Sequence, residues 1–134
     1  MFGIVVVSHG GLGEQFVAAA EHILGPQGQL SAISITDGED LDASRERLRQ
    51  AIKDVNTGHG VVMLTDMFGG TPSNLAISLL EESHCEVVAG VNLPMIIKLL
   101  QIRAQTPLTE AVLQAQDSGR KYIHVASKLL KAHG

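Results

Sequence analysis

The sequence predicts an α/β fold in which a parallel β-sheet is covered by helices on both faces. Residues 4–7 and residues 61–65 are apolar at nearly every position, and such runs are typical of parallel strands that are buried on both sides. Segments with apolar residues at helical spacing follow these runs. The strand–helix pair occurs four times, which predicts a parallel sheet with right-handed crossovers.

Four strands are predicted at residues 3–8, 30–36, 61–65 and 86–91. Helices are expected at residues 12–24 and 40–55, from Pro72 onward, and from residues 92–94 to about 102. Gly25-Pro26 ends the first helix, and Asp37-Gly38 is expected to turn the chain.

The chain after residue 92 is harder to interpret. The fourth helix is almost entirely apolar between Met95 and Ile102. It is either deeply packed or part of a subunit interface. We favour the interface, because a domain of this size can hardly cover a helix on all sides. Beyond it we expect a helix from about residue 108 to residues 118–119, a fifth strand over residues 120–125, and a short helix over residues 127–132.

Composition limits the classes of function. The 134 residues predict a single domain spanning residues 1–134, and a hydrophobic content of 45% with 18% charged residues indicates a folded protein. A net charge of −4 without a basic cluster argues against a nucleic-acid partner. We find no signal peptide and no segment near the roughly 20 apolar residues of a membrane span. A cytoplasmic protein without membrane insertion is therefore expected.

The candidate site lies where the first and third strands end. His9 follows the first apolar run, and Asp66 follows the third. In a flavodoxin-like sheet of order 2-1-3-4, these two strands are neighbours, and the crevice at their carboxyl ends is where ligands bind. Adjacent strands lie roughly 5 Å apart, so the two side chains could touch.

A histidine paired with a carboxylate can act as a nucleophile. A carboxylate bound to one ring nitrogen fixes the tautomer and leaves the other nitrogen with a free lone pair. Asp66 would also stabilise positive charge on the His9 ring after the far nitrogen is modified. We therefore predict His9 and Asp66 as the catalytic pair of a phosphoryl-transfer site.

The segments after both residues are suited to binding a phosphoryl group. Thr71-Pro72 resembles a helix start, and two helix N-termini would converge on the crevice with their partial positive charge. The predicted phosphate-binding residues follow His9 or Asp66 in sequence: Gly10, Gly11, Gly69, Gly70, Thr71, Ser73 and Asn74. We see no acidic pair or metal-ligand cluster here, so transfer without a metal or other cofactor is expected.

Each of these residues also has a structural interpretation. A lone histidine is most often structural, Asp66 could cap a turn, and glycines are common in turns. The other five histidines lack metal-ligand spacing with a second His, Cys or carboxylate, and we assign them no role. Position at a strand end is what favours the functional interpretation of His9.

Three segments together resemble a known family. They are residues 4–10, ending in Ser8-His9-Gly10, residues 65–74, and residues 89–95, which read Ala-Gly-Val-Asn-Leu-Pro-Met. In this order and spacing they resemble the mannose-family enzyme IIA component of the sugar phosphotransferase system. The resemblance covers residues 1 to about 125.

The resemblance implies a phosphotransferase that relays phosphoryl groups between proteins. It implies that His9 accepts a phosphoryl group on Nε2 from the phosphohistidine of the carrier protein HPr, and passes it to a IIB component. Asp66 would hold the other ring nitrogen, and residues 69–74 would line the phosphate. It also implies a homodimer in which an antiparallel edge strand is exchanged between subunits, which would account for residues 120–125.

Two sequence differences from the transport members of the family bear on which protein accepts the phosphoryl group. The sequence ends at Gly134 without a linker or IIB domain, so we expect the phosphoryl group to pass to a separate protein, or to none. The loop reads Met67-Phe68, where we associate transport members with a tryptophan. Both features favour a stand-alone protein of a regulatory or incomplete system.

Two alternatives remain from the sequence. Tetrapyrrole metal chelatases of the sirohydrochlorin type also begin with an apolar strand that ends in Ser-His-Gly, although residues 66–74 and the lack of a second well-placed histidine argue against one. The other alternative is a purely regulatory binding module in which phosphorylated His9 is the switch.

Overall fold

A computed structural model of the chain describes residues 1–36, 38–82 and 84–133. Strands and helices alternate through the first four pairs, and two further helices follow. In chain order the elements are β1 (Gly3–His9), α1 (Leu12–Leu24), β2 (Leu30–Ile35), α2 (Leu41–Val55), β3 (Val61–Thr65), α3 (Thr71–Ser78), β4 (Cys85–Ala89), α4 (Leu93–Ile102), α5 (Leu108–Lys121) and α6 (Ala126–His133). Asp37 of the predicted turn lies outside the described residues.

The four strands form one parallel sheet in the order β2-β1-β3-β4. The predicted strand order 2-1-3-4 is therefore confirmed. Val7 of β1 lies opposite Thr65 of β3, and His9 lies opposite Ile35 of β2. This register brings the end of β1 to the same edge of the sheet as the ends of both its neighbours.

Helices cover both faces of the sheet, so the predicted three-layer architecture is confirmed. Ile4 and Val6 of β1 pack in a buried cluster with α1, α4 and α5. Val5 and Val7 point to the opposite face and pack against α2 and α3. Because successive side chains of a strand alternate between faces, a continuous apolar run fits a sheet with two cores.

The apolar helix α4 packs within the chain. Met95, Ile96, Leu99 and Leu100 are buried in the cluster that α4 shares with α1 and α5. The deeply packed interpretation therefore accounts for most of the apolar surface of α4. A subunit interface is not required to explain its sequence.

The carboxyl-terminal region differs from the prediction. Arg120 and Lys121 continue α5, and residues 122–125 form no strand. Residues 120–121 of the predicted fifth strand are thus corrected to helix, and residues 122–125 pair with no strand of the described chain. Helical packing is the reason: Nδ2 of Asn92 donates to the carbonyl of Gly119 at 2.8 Å, and the lack of a Cβ at Gly119 lets the end of α5 approach Met95 of α4. The short terminal helix is confirmed as α6, whereas strand exchange in a dimer stays a prediction.

The remaining differences are small. β2 ends at Ile35, one residue before the predicted end, and β4 is Cys85–Ala89 where residues 86–91 were predicted. Among the described residues, no helix has the length and apolar character needed to cross a membrane.

Candidate functional site

The two predicted catalytic residues meet at the carboxyl edge of the sheet. His9 is the last residue of β1, and Asp66 directly follows β3. The His9 side chain is 49% exposed, whereas the Asp66 side chain is only 11% exposed. The crevice therefore offers a solvent-accessible imidazole that rests on a shielded carboxylate.

One carboxylate oxygen of Asp66 contacts His9 twice. Oδ2 lies 2.7 Å from the ring Nδ1 and accepts the main-chain N–H of His9 at 2.8 Å. Oδ1 accepts the main-chain N–H of Met67 at 2.9 Å. An ionised carboxylate can only accept, so Nδ1 carries the proton and Nε2 carries the free lone pair.

The pKa of Asp66 is lowered from its ordinary value. Burial raises this pKa, but hydrogen bonds from the main chain and ring of His9 and from the N–H of Met67 outweigh that effect. Asp66 therefore remains a carboxylate at neutral pH, which maintains the tautomer that exposes Nε2.

Gly70 leaves room for the reactive edge of the imidazole. A Cβ at this position would lie 2.9 Å from Cε1 and 3.3 Å from Nε2 of His9. Contacts this short are almost never tolerated, so a glycine here lets the backbone approach the ring. The neighbouring Gly69 has a φ of +94°, which also favours glycine.

The predicted phosphate-binding residues around α3 divide into two groups. The hydroxyl of buried Ser73 accepts the N–H of Gly69 at 2.9 Å and donates to the carbonyl of Gly70 at 3.0 Å, so it organises the loop. Thr71 and Asn74 are exposed. Among the hydrogen bonds of the described residues, none uses the N–H of Gly70 or Thr71 as a donor.

The glycines after His9 lie at the start of α1. Gly10 has a φ of +50°, and its N–H donates to the carbonyl of Ile35 at 3.1 Å. Gly11 is exposed and precedes the first residue of α1. The structure thus places both glycines between His9 and the first residue of α1.

Ser8 holds α1 against the end of β1, a role that the sequence analysis missed. Its fully buried hydroxyl accepts the N–H of Gly13 at 2.7 Å. A Cβ at Gly13 would lie 3.1 Å from this oxygen. The pairing of a strand-end serine with a glycine five residues later was the signal available in the sequence.

The residues after β2 also contribute to the site and were missed. A cavity of about 90 Å³ borders His9, Thr71 and the chain from the end of β2 to the start of α2, namely Ile35, Thr36, Gly38, Glu39 and Leu41. The predicted order 2-1-3-4 already made β2 a neighbour of β1, so these residues could have been expected here. Met67 and Phe68, 60% and 76% exposed, add apolar surface beside the crevice.

In the part of the chain that the structure describes, no group of three or more His, Cys, Asp or Glu side chains could hold a metal ion. The site is therefore built from an imidazole, a carboxylate, backbone amides and apolar side chains. Such a set can present a nucleophile and bind an anion.

Comparison with known proteins identifies the family. The model of the EIIA-man family, described as PTS system fructose IIA component, matches residues 3–116. The chain belongs to this mannose-type IIA family. The resemblance noted in the sequence is therefore confirmed, and no support arises for a chelatase.

Two curated relatives show how the mannose-type IIA chain compares in length. It is 35% identical over 131 residues to the PTS system mannose-specific EIIAB component of Escherichia coli strain K12. This match covers 96% of the chain but only 39% of that relative. The chain is 30% identical to the PTS system fructose-specific EIIA component of Bacillus subtilis. This second match covers 98% of the chain and 90% of that protein.

A solved structure shows the same fold. Phosphotransferase system component EIIA from Streptococcus agalactiae superimposes with a TM-score of 0.88 at 26% identity. The superposition covers 96% of this mannose-type IIA chain and 99% of the other. The sheet order and the helices on both faces are thus shared with a IIA protein.

Proposed function

We propose that this mannose-type IIA protein is a phosphocarrier of a sugar phosphotransferase system. His9 accepts a phosphoryl group from the phosphohistidine of HPr and passes it to a IIB component, or keeps it as a regulatory signal. The observation that carries this proposal is the 2.7 Å contact between Nδ1 of His9 and Asp66, which leaves Nε2 free beside Gly70.

The transfer step exchanges one P–N bond for another. The lone pair of Nε2 attacks the phosphorus of the donor, the P–N bond of the donor breaks, and the donor imidazole leaves with the electron pair. Nδ1 keeps its proton, and the His9 ring becomes cationic. Asp66 stabilises that charge through the hydrogen bond it already makes.

Backbone amides would neutralise the transferred group. The N–H groups of Gly70 and Thr71 at the start of α3 are not used by the described protein acceptors. The N-terminus of α1, capped by Gly11, begins two residues after His9 and would supply further amides. Gly10, Gly69, Ser73 and Asn74 complete the proposed phosphate-binding set, with Ser73 acting through the loop conformation.

The donor and acceptor are proteins, and the rim of the crevice is suited to them. Four apolar side chains stay largely exposed around His9 and come from three different loops and helix starts: Leu12, Leu41, Met67 and Phe68. Exposed apolar side chains grouped around a reactive residue mark a protein-docking surface. HPr and the IIB component are the partners proposed for it.

The proposed assembly is a homodimer with strand exchange. Ile123 is 73% exposed, and residues 122–125 pair with no described strand. β4 is an edge strand, and a groove of about 370 Å³ runs between it and α5. Residues 122–125 of a second copy would fill this groove and cover the unpaired edge of β4. Sedimentation analysis tests this assembly, and a monomer at micromolar concentration would contradict it.

Phosphorylation with labelled HPr tests the function. The protein is incubated with phosphorylated HPr, and label that is stable in alkali but labile in acid is measured. His9→Ala should abolish labelling, whereas His22→Ala, an exposed residue of α1, should label like the parent. Labelling of His9→Ala at the parental level would overturn the assignment.

Addition of a IIB protein distinguishes transport from regulation. In a relay, label moves from the phosphorylated protein to IIB. If the label stays on His9 while another protein binds only the phosphorylated form, the purely regulatory alternative holds.

A further inference from the structure

Glu39 binds the polar groups at the end of β2. Its Oε1 accepts the main-chain N–H of Thr36 at 3.1 Å and the Thr36 hydroxyl at 2.6 Å. Its Oε2 accepts the hydroxyl of Ser44 at 2.6 Å and contacts the guanidinium of Arg47 at 3.4 Å. One side chain thus ties the residue after β2 to the first turns of α2.

The start of α2 does not need these contacts of Glu39 as a cap, because another residue caps it. Asp40 is the N-cap of α2, and its side chain accepts the N–H of Asp42 at 3.0 Å. Ser44, which faces Glu39, is 1% exposed although it is polar. Since the helix is already capped, the hydrogen bonds of Glu39 serve another purpose, which is the placement of Thr36.

Thr36 lies directly beside the reactive histidine. Ile35 is opposite His9 in the β1–β2 register and accepts the N–H of Gly10 at 3.1 Å. Thr36 and Glu39 line the 90 Å³ cavity together with His9 and Thr71. A group bound to His9 in this cavity would contact the residues that Glu39 holds.

Glu39 itself is a poor ligand for a phosphoryl group. Hydrogen bonds from Ser44 and Thr36, followed by the charge of Arg47, lower the pKa of Glu39 to about 2. It is thus an anion at neutral pH, and a bound phosphoryl group would repel it. Both carboxylate oxygens of Glu39 already accept hydrogen bonds from Thr36 and Ser44, so Glu39 acts on the site by positioning these residues.

We propose that Glu39 is a positioning residue for phosphoryl transfer: by fixing Thr36 against the start of α2, it keeps the part of the cavity wall that Thr36 forms in place around the phosphoryl group on His9. The inference rests on the proposed function. A fixed wall limits the access of water to the P–N bond and holds the group for attack by the acceptor. Loss of the wall should therefore favour hydrolysis over transfer.

The test compares Glu39→Gln and Ser44→Ala with Glu46→Gln. Glu46 lies on the same helix, pairs with Arg49 and is remote from the cavity, so Glu46→Gln is the matched control. Two rates are measured for each protein: transfer of the phosphoryl group from phosphorylated HPr to His9, and spontaneous hydrolysis of phospho-His9. Circular dichroism and thermal unfolding establish that each variant is folded.

For Glu39→Gln we expect hydrolysis to be about three- to tenfold faster and kcat for transfer to fall by a similar factor, with a smaller change in KM for HPr. Ser44→Ala should change both rates in the same direction and less, because Ser44 reaches the cavity only through Glu39. Parental rates in both variants would overturn the inference while leaving phosphorylation of His9 intact. A parent protein that takes no label would instead refute the proposed function, and the inference with it.

Discussion

His9 and Asp66 are joined by two hydrogen bonds to the same carboxylate oxygen. Oδ2 of Asp66 lies 2.8 Å from the main-chain nitrogen and 2.7 Å from the ring Nδ1 of His9. The first bond fixes the backbone at the end of β1, and the second fixes the ring. Together they direct Nε2 toward Gly70 and leave it as the only nitrogen of this ring that can react.

Replacement of Asp66 should slow transfer without unfolding the protein. Asp66→Asn keeps the shape of the side chain but can present an N–H to Nδ1, which favours the wrong tautomer. We expect the single-turnover rate from phosphorylated HPr to fall by about a hundredfold or more. Asp117→Asn, an exposed residue on α5, serves as the control. A parental rate in Asp66→Asn would reduce Asp66 to a structural residue.

A methyl group at Gly70 should obstruct the reactive edge of His9. The added Cβ would lie 2.9 Å from Cε1, so either the ring or the loop must move. We expect Gly70→Ala to lower the labelling rate by about tenfold or more while secondary structure is retained. Gly28→Ala, where a Cβ meets nothing within 4 Å, should label normally. Equal rates for the two variants would show that the approach of Gly70 to His9 is unimportant.

Loss of the Ser8 hydroxyl should destabilise the start of α1. Ser8→Ala leaves the buried N–H of Gly13 without its partner, and an unsatisfied buried donor costs about 1–3 kcal/mol. Urea unfolding should show this decrease in the free energy of unfolding. Ser127→Ala on α6, whose side chain is exposed, should change it by less than about 0.5 kcal/mol. An unchanged midpoint for Ser8→Ala would contradict this role.

Glu39 should make stability depend on acidic pH. Its pKa is about 2 in the folded protein against 4.5 in the unfolded chain. A lowered folded pKa means that the unfolded state takes up protons first, so the contribution is present above about pH 5 and is lost as the pH falls toward about 2.

Urea midpoints at several pH values in this range provide the measurement. The difference in stability between the parent and Glu39→Gln should shrink as the pH falls, whereas the difference for Glu46→Gln should change less. A difference between parent and Glu39→Gln that is independent of pH would mean that Glu39 is not held by these hydrogen bonds.

The sheet and the contact between His9 and Asp66 could be predicted from sequence because they depend on short-range patterns and one topological rule. Continuous apolar runs identified the buried strands, and the strand order placed His9 and Asp66 at one edge. The structure confirms the order, and the side chains meet there.

The features that were missed are local hydrogen bonds between polar side chains and nearby residues. The hydroxyls of Ser8 and Ser73 are used by the backbone, and Glu39 folds back onto Thr36; no periodicity marks such bonds. The segment from Tyr122 to Val125 is rich in residues that favour strands, yet a strand needs a neighbour. Within the described chain this segment pairs with no strand, so its local propensity alone does not produce one.

The position of the phosphoryl group on His9 is the most direct test of this account. The protein is labelled with ¹⁵N in its histidines, phosphorylated with HPr, and studied by ³¹P and ¹⁵N NMR. We predict one phosphohistidine, at residue 9, with phosphorus bound to Nε2 and the proton retained on Nδ1. Phosphorus on Nδ1, or on any other histidine, would contradict the role assigned to the pair of His9 and Asp66.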